Sequence, residues 1–109
     1  GPLRLLALAK SCRKMRAYVH VSTAYVNCNQ PTGTRVMEEL PKLHIDPELV
    51  LSRIFAPSMT PEQILKDTPK LLERYPNTYT FTKACGEVLL SRSIGNIPTA
   101  IVRPTIIGC

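Results

Sequence analysis

Long apolar runs are missing from this sequence of 109 residues. No stretch approaches the roughly 18 to 20 apolar residues that a membrane-spanning helix needs. Leu3 to Ala9 is short and leads into Lys10, Arg13, Lys14 and Arg16 rather than a small-residue cleavage site, so no signal-peptide pattern is present. Glycine is scarce, at five residues against ten prolines, which indicates long, stiffened loops. Cysteine is limited to Cys12, Cys28, Cys85 and Cys109, far apart and without paired spacing. That argues against a zinc site, less firmly against a disulfide framework, and fits a reducing compartment. Acidic residues are absent from the first 35 positions, which hold Arg4, Lys10, Arg13, Lys14, Arg16 and Arg35. The remainder carries eight residues of each sign, so the whole net charge of +6 sits at one end. That run reads as a solvated helix face and a basic turn, with a phosphate or anionic-cofactor surface as the alternative. No aromatic residues interleave with it, so nucleic acid is not the expected partner. At 44% apolar and 20% charged, the chain has the balance of a globular domain, or a portion of one.

What is present has a clear order. Leu5, Leu6, Leu8 and Ala9 are apolar at helical spacing, with Arg4 and Lys10 outside, and predict a helix ending near Cys12. Ala17 to Ser22 alternates as a strand, apolar on both faces, as in a strand covered on two sides. A segment from about Asn29 to Pro76 then interrupts the pattern. Within it, Asp46 and Pro47 open one helix towards Ala56, and Thr60 and Pro61 open another towards Arg74. Gln63 stands at capping-box spacing from Thr60, and Pro69 is expected to kink or split the second helix. So long an irregular insertion inside a domain is usually a lid or a binding wall. Asn77 or Thr78 caps a third helix with an apolar stripe of Phe81, Ala84, Cys85, Val88 and Leu89, ended by Gly95. Thr99 to Arg103 reads as a second buried strand, broken by Pro104. Helix, strand, insertion, helix, strand is α/β chemistry, with the helix before the second strand crossing between two parallel strands. The chain opens inside a helix and closes after a strand, as a segment of a larger domain does.

In an open parallel sheet, ligands bind beyond the carboxyl ends of the strands. Here those ends are Ser22-Thr23 and Pro104-Thr105. Tyr79 and Lys83 are four apart, hence on one helix face near the same rim. A phenol gives up its proton poorly at neutral pH, and a nearby ammonium favours the phenolate. Such a tyrosine can exchange a proton with a substrate oxygen, and a hydroxyl from Ser22 or Thr23 can bind the same oxygen. The set suits hydride transfer to a carbonyl better than hydrolysis, because no activated nucleophile with a base partner is evident. Tyr-x-x-x-Lys alone is a weak signal, and a surface pair of this kind does no more than support its helix. His20 reads as a satisfied core residue, His44 as a loop residue without a partner, and Arg103 as structural. Cys28 and Cys85 read as small packing residues.

Three blocks carry a family resemblance: YVHVSTAYVNCN (Tyr18 to Asn29), YPNTYTFTKACGE (Tyr75 to Glu87) and IPTAIVRPTIIG (Ile97 to Gly108). Together they resemble the fatty acyl-CoA reductases, the male-sterility group of the extended short-chain dehydrogenase/reductase superfamily. The likeness is strong in these blocks and weak in residues 30 to 70. It implies a partial Rossmann-like, doubly wound parallel sheet with a helical and loop insertion. It implies Tyr79 as proton donor, Lys83 on the nicotinamide ribose, Ser22 or Thr23 (with a lean to Thr23) as the carbonyl-binding hydroxyl, and Pro104 and Thr105 beside the nicotinamide. It also implies NADPH as cofactor and a long-chain fatty acyl-CoA as substrate, reduced to the aldehyde and normally on to the alcohol. Residues 29–76 would line the acyl channel, and no metal is called for. The family's Gly-rich turn, which holds the pyrophosphate, has no counterpart in this sequence. Nor has its carboxy-terminal region, often membrane-associating. The chain therefore reads as part of one NAD(P)-binding reductase domain, not expected to hold NADPH firmly by itself. Peroxisomal or endoplasmic-reticulum membranes are the expected location, with cytosol and plastid open. The rival readings are a carrier-protein thioester reductase, a steroid dehydrogenase or isomerase, and a non-catalytic Rossmann binding module.

Overall fold

The computed structural model describes residues 1–108. Its elements are α1 (Pro2–Ser11), β1 (Tyr18–Val21), α2 (Pro47–Ile54), α3 (Pro61–Leu72), α4 (Thr78–Ser93) and β2 (Thr99–Val102). A 3₁₀ turn, Ala24–Asn27, follows β1. The strands are parallel, with Tyr18 opposite Thr99 and Val21 opposite Val102. The ladder continues past β2: Ser22 N donates to the Val102 carbonyl at 2.7 Å, and Ala24 N to that of Pro104 at 3.0 Å. Parallel pairing places both carboxyl ends on one rim, and this continuation fastens the two rim segments together.

The helices begin where local chemistry dictates. Asp46, Thr60 and Asn77 each accept a backbone N–H of their helix's first turn, from Glu48, Gln63 and Thr80. Pro47 and Pro61 occupy first helical positions, where a missing N–H costs nothing. Gly95, at φ +57°, turns the chain after α4. Val26, Val50, Leu71, Tyr75, Phe81, Ala84 and Cys85 form the core beneath α4 and the insertion helices. Burial pushes the Tyr75 phenol up to about 12 and the Cys85 thiol up to about 11.

Several sequence expectations are corrected. Among the described residues, β1 is covered on one face only. Tyr18 and His20 face the helices, whereas Val19 and Val21 are 57% and 56% exposed. A two-stranded sheet with α1 and α4 on one side leaves its other side open. On α1 only Leu6 and Ala9 are buried, while Leu5 and Leu8 are exposed, because a single stripe faces α4. Both strands stop short of the expected ends: Ala17, Ser22 and Arg103 lie outside them. α2 and α3 likewise end earlier, at Ile54 and Leu72. Pro69 does not split α3. It sits in the last turn, so the one bond its missing N–H forfeits, to the Leu65 carbonyl, lies at the end of the helix. Gln63 does not close a capping box, since its amide donates to Asp67 Oδ1 at 3.3 Å instead. His44 does have partners: Nε2 meets the Leu71 carbonyl at 2.8 Å and Nδ1 the Glu73 carboxylate at 3.4 Å. Cys28 is exposed rather than packed. His20 is not satisfied either, as its Nε2 is buried with no hydrogen-bond partner among the described residues.

Candidate active site

The rim is built from β1 outward. After Val21 the backbone stays extended through Thr23, at φ −149° and ψ 148°, and then tightens into the 3₁₀ turn. Thr23 caps that turn, its Oγ1 accepting from Tyr25 N at 3.3 Å. One lone pair is thereby held by the backbone, while the O–H remains free to donate. Ser22 and Thr23 are both 5% exposed, and Ser22 Oγ has no partner among the described residues. A buried hydroxyl without a partner is uncommon enough to require a reason.

α4 supplies the other side. Its cap fixes the first turn, which carries Tyr79, 56% exposed. One turn on, Lys83 Nζ donates to the Val21 carbonyl at 3.2 Å. That contact brings the Tyr79–Lys83 face of α4 to the point where β1 ends. An ammonium has three donors, so this bond leaves two for a ligand. Pro104 joins the same rim through its carbonyl bond with Ala24, and Thr105, exposed, follows it. The expected residues Ser22, Thr23, Lys83 and Pro104 thus converge on one edge, with Tyr79 and Thr105 next along α4 and the chain. The basic run Lys10 to Arg16 leads into the opposite end of β1, so that run is not part of this site.

Sequence reasoning missed one component. Glu87, wholly buried, lies one further turn along α4 from Lys83. Arg103 grips it with a two-pronged contact: Nε to Oε1 at 2.9 Å and Nη2 to Oε2 at 2.6 Å. The same Nη2 donates to the Glu39 carbonyl at 2.8 Å. Hydrogen bonding to Glu87 raises the guanidinium above its ordinary value. The signal was available: an acid four residues after Lys83, inside an apolar stripe, demands a cationic partner. His20 faces this cluster from β1. Burial, then the Lys83 ammonium, hold it below its ordinary value, with Glu87 opposing.

The arrangement fits the nicotinamide end of a dinucleotide. Lys83 has donors to spare for ribose hydroxyls, and Ser22 Oγ is a polar atom awaiting a partner. The pyrophosphate end has no counterpart among the described residues: Gly33 and Gly95 lie in loops and Gly86 inside α4. Nor do three metal-ligating side chains come together among them.

The start of α1 with α2, α3 and α4 lines an apolar cavity of about 340 Å³. Val50, Ile54, Ile64, Leu71, Phe81 and Leu89 line it, along with Thr78 and Thr82 of the first turns of α4.

The family described as Male sterility protein, an NAD-binding family, matches residues 1–109. Fatty acyl-CoA reductase 2 of Mus musculus is 37% identical over 106 residues, covering 96% of this chain and 19% of that protein. The Homo sapiens protein of the same name is 35% identical over the same shares, and fatty acyl-CoA reductase 1 of Xenopus laevis 37%. The chain thus spans about a fifth of the length of these relatives. No solved structure matches it significantly. With its parallel strands, crossing helix and Tyr-x-x-x-Lys rim, the chain belongs to the male sterility protein family, and its structure is part of that family's NAD-binding, Rossmann-like α/β fold.

Proposed function

We propose that the whole protein reduces a long-chain fatty acyl-CoA thioester with NADPH, to the aldehyde and on to the alcohol, at this rim. The observation that carries the reading is the bond from Lys83 to the Val21 carbonyl, which sets the Tyr79 helix against the end of β1. The named relatives support the substrate class.

The chain's own residues divide the work. Thr23, its acceptor side held by Tyr25 N, donates its hydroxyl proton to the substrate carbonyl oxygen. Ser22, whose buried hydroxyl has no partner among the described residues, offers a second polar group next to it in the chain. Tyr79 protonates the oxygen as charge develops there, and the Lys83 ammonium supplies stabilising positive charge. NADPH, when bound, supplies the hydride. Pro104 and Thr105 close the nicotinamide side. The hemithioacetal returns its proton to the Tyr79 phenolate as the CoA thiolate leaves, which gives the aldehyde, and a second hydride from a second NADPH with a proton from Tyr79 gives the alcohol at the same rim. The acyl tail lies in the cavity between the insertion helices and α4. Its volume of about 340 Å³ falls at the lower end of the roughly 300 to 1,000 Å³ typical of ligand pockets.

The test is Tyr79→Phe in the intact protein, assayed by NADPH oxidation with a long-chain acyl-CoA and by mass spectrometry of the product. Loss of a general acid lowers turnover by about 100-fold or more, with the circular dichroism spectrum unchanged. Wild-type turnover in that variant, or no aldehyde or alcohol from the wild type, overturns the reading.

A further inference from the structure

We infer that Glu87 and Arg103 are positioning residues of the candidate site, a latch that sets the height of the Tyr79–Lys83 helix on the sheet and fastens the insertion to the same rim. The inference rests on the reductase reading and extends it to residues that touch neither substrate nor cofactor.

Three segments meet at one guanidinium. The first is α4, through wholly buried Glu87. The second is the end of β2, since Arg103 immediately precedes Pro104, whose carbonyl accepts from Ala24 N. The third is the insertion, through the Glu39 carbonyl. Along α4, Tyr79, Lys83 and Glu87 stand at intervals of four and share one face. A shift of Glu87 along the helix axis moves Lys83 with it, away from the Val21 carbonyl at 3.2 Å.

Arginine suits this place for a geometric reason. Its planar fork fixes distance and orientation together, whereas an ammonium fixes distance alone. The Arg103 side chain is only 18% exposed, so water does not readily replace these contacts. A surface ion pair fixes little. Arg92 of α4 and Asp46, the cap of α2, each 42% exposed, illustrate that case.

The experiment uses the intact protein with two variants. Arg103→Lys keeps the charge and loses the fork. Glu87→Met with Arg103→Met removes both charges, stranding neither, so the fold survives. Circular dichroism and NADPH-binding titration establish the folded state, and kcat and KM are then measured for a long-chain acyl-CoA. A misplaced site lowers kcat on the order of 100-fold, while both KM values stay within about threefold. Wild-type kcat in the folded double variant overturns the latch, because a pair that only stabilises would leave the chemistry intact. Loss confined to KM overturns it equally. Tyr79→Phe is run alongside. If that variant is fully active, the reductase reading falls and the latch with it. If it is inactive while the double variant is fully active, the latch alone falls.

Discussion

The Glu87–Arg103 pair also makes a quantitative statement about stability. Removing Arg103 as Arg103→Met strands a carboxylate with no exposed surface. Breaking a buried pair from one side costs about 3 to 5 kcal/mol, mostly the desolvation of the charge left behind. Against a usual total of about 5 to 15 kcal/mol for a domain, that is a large fraction. At 1.4 kcal/mol per factor of ten, protection of α4 and β2 amides against hydrogen exchange falls by about two to three and a half orders of magnitude. Removing both partners, as Glu87→Met with Arg103→Met, restores most of the protection, because no buried charge is unpaired. Arg92→Met serves as the control: its pair with Asp46 is open to solvent, and exchange is expected to stay at the wild-type level. Hydrogen–deuterium exchange read by mass spectrometry, peptide by peptide in the intact protein, measures all three. A loss below tenfold in Arg103→Met, or a double variant no better than the single, would refute the reasoning.

Ile64→Trp fills part of the cavity between α2, α3 and α4. It is expected to shift preference towards shorter acyl chains by about tenfold in kcat/KM, and an unchanged ranking of acyl-CoA substrates argues against the tail lying there. Cys85 is buried with its thiol pushed up to about 11, so about one molecule in a thousand carries the thiolate at pH 8. Iodoacetamide mapped by mass spectrometry is expected to label exposed Cys12 and Cys28 well ahead of it, and equal rates at Cys28 and Cys85 contradict the packing. His20 is held below its ordinary 6.5 by burial and by Lys83. Protonation therefore favours the unfolded chain, and the contribution of His20, full above about pH 6.5, is lost as pH falls through its folded value. The melting temperature is expected to drop less in His20→Asn than in wild type between about pH 7.5 and about pH 5.5, and parallel drops count against this account.

Much of the fold was legible because it is local. Asp46, Thr60 and Asn77 announce their helices through caps, Gly95 ends one, and the alternation around Val19 and Ile101 marks strands that do pair in parallel. The i, i+4 spacing of Tyr79 and Lys83 likewise carried over to one face of α4. What stayed hidden depends on neighbours distant in sequence. The partner of Lys83 is a main-chain oxygen, which leaves no mark in the side-chain pattern. The contacts of His44 to Leu71 and Glu73 join residues that no periodicity connects.

Because Lys83 is moored to the peptide carbonyl of Val21, the mooring is blind to what side chain position 21 bears. Changing the side chain at position 21 leaves that oxygen in place, so it does not by itself release the amine.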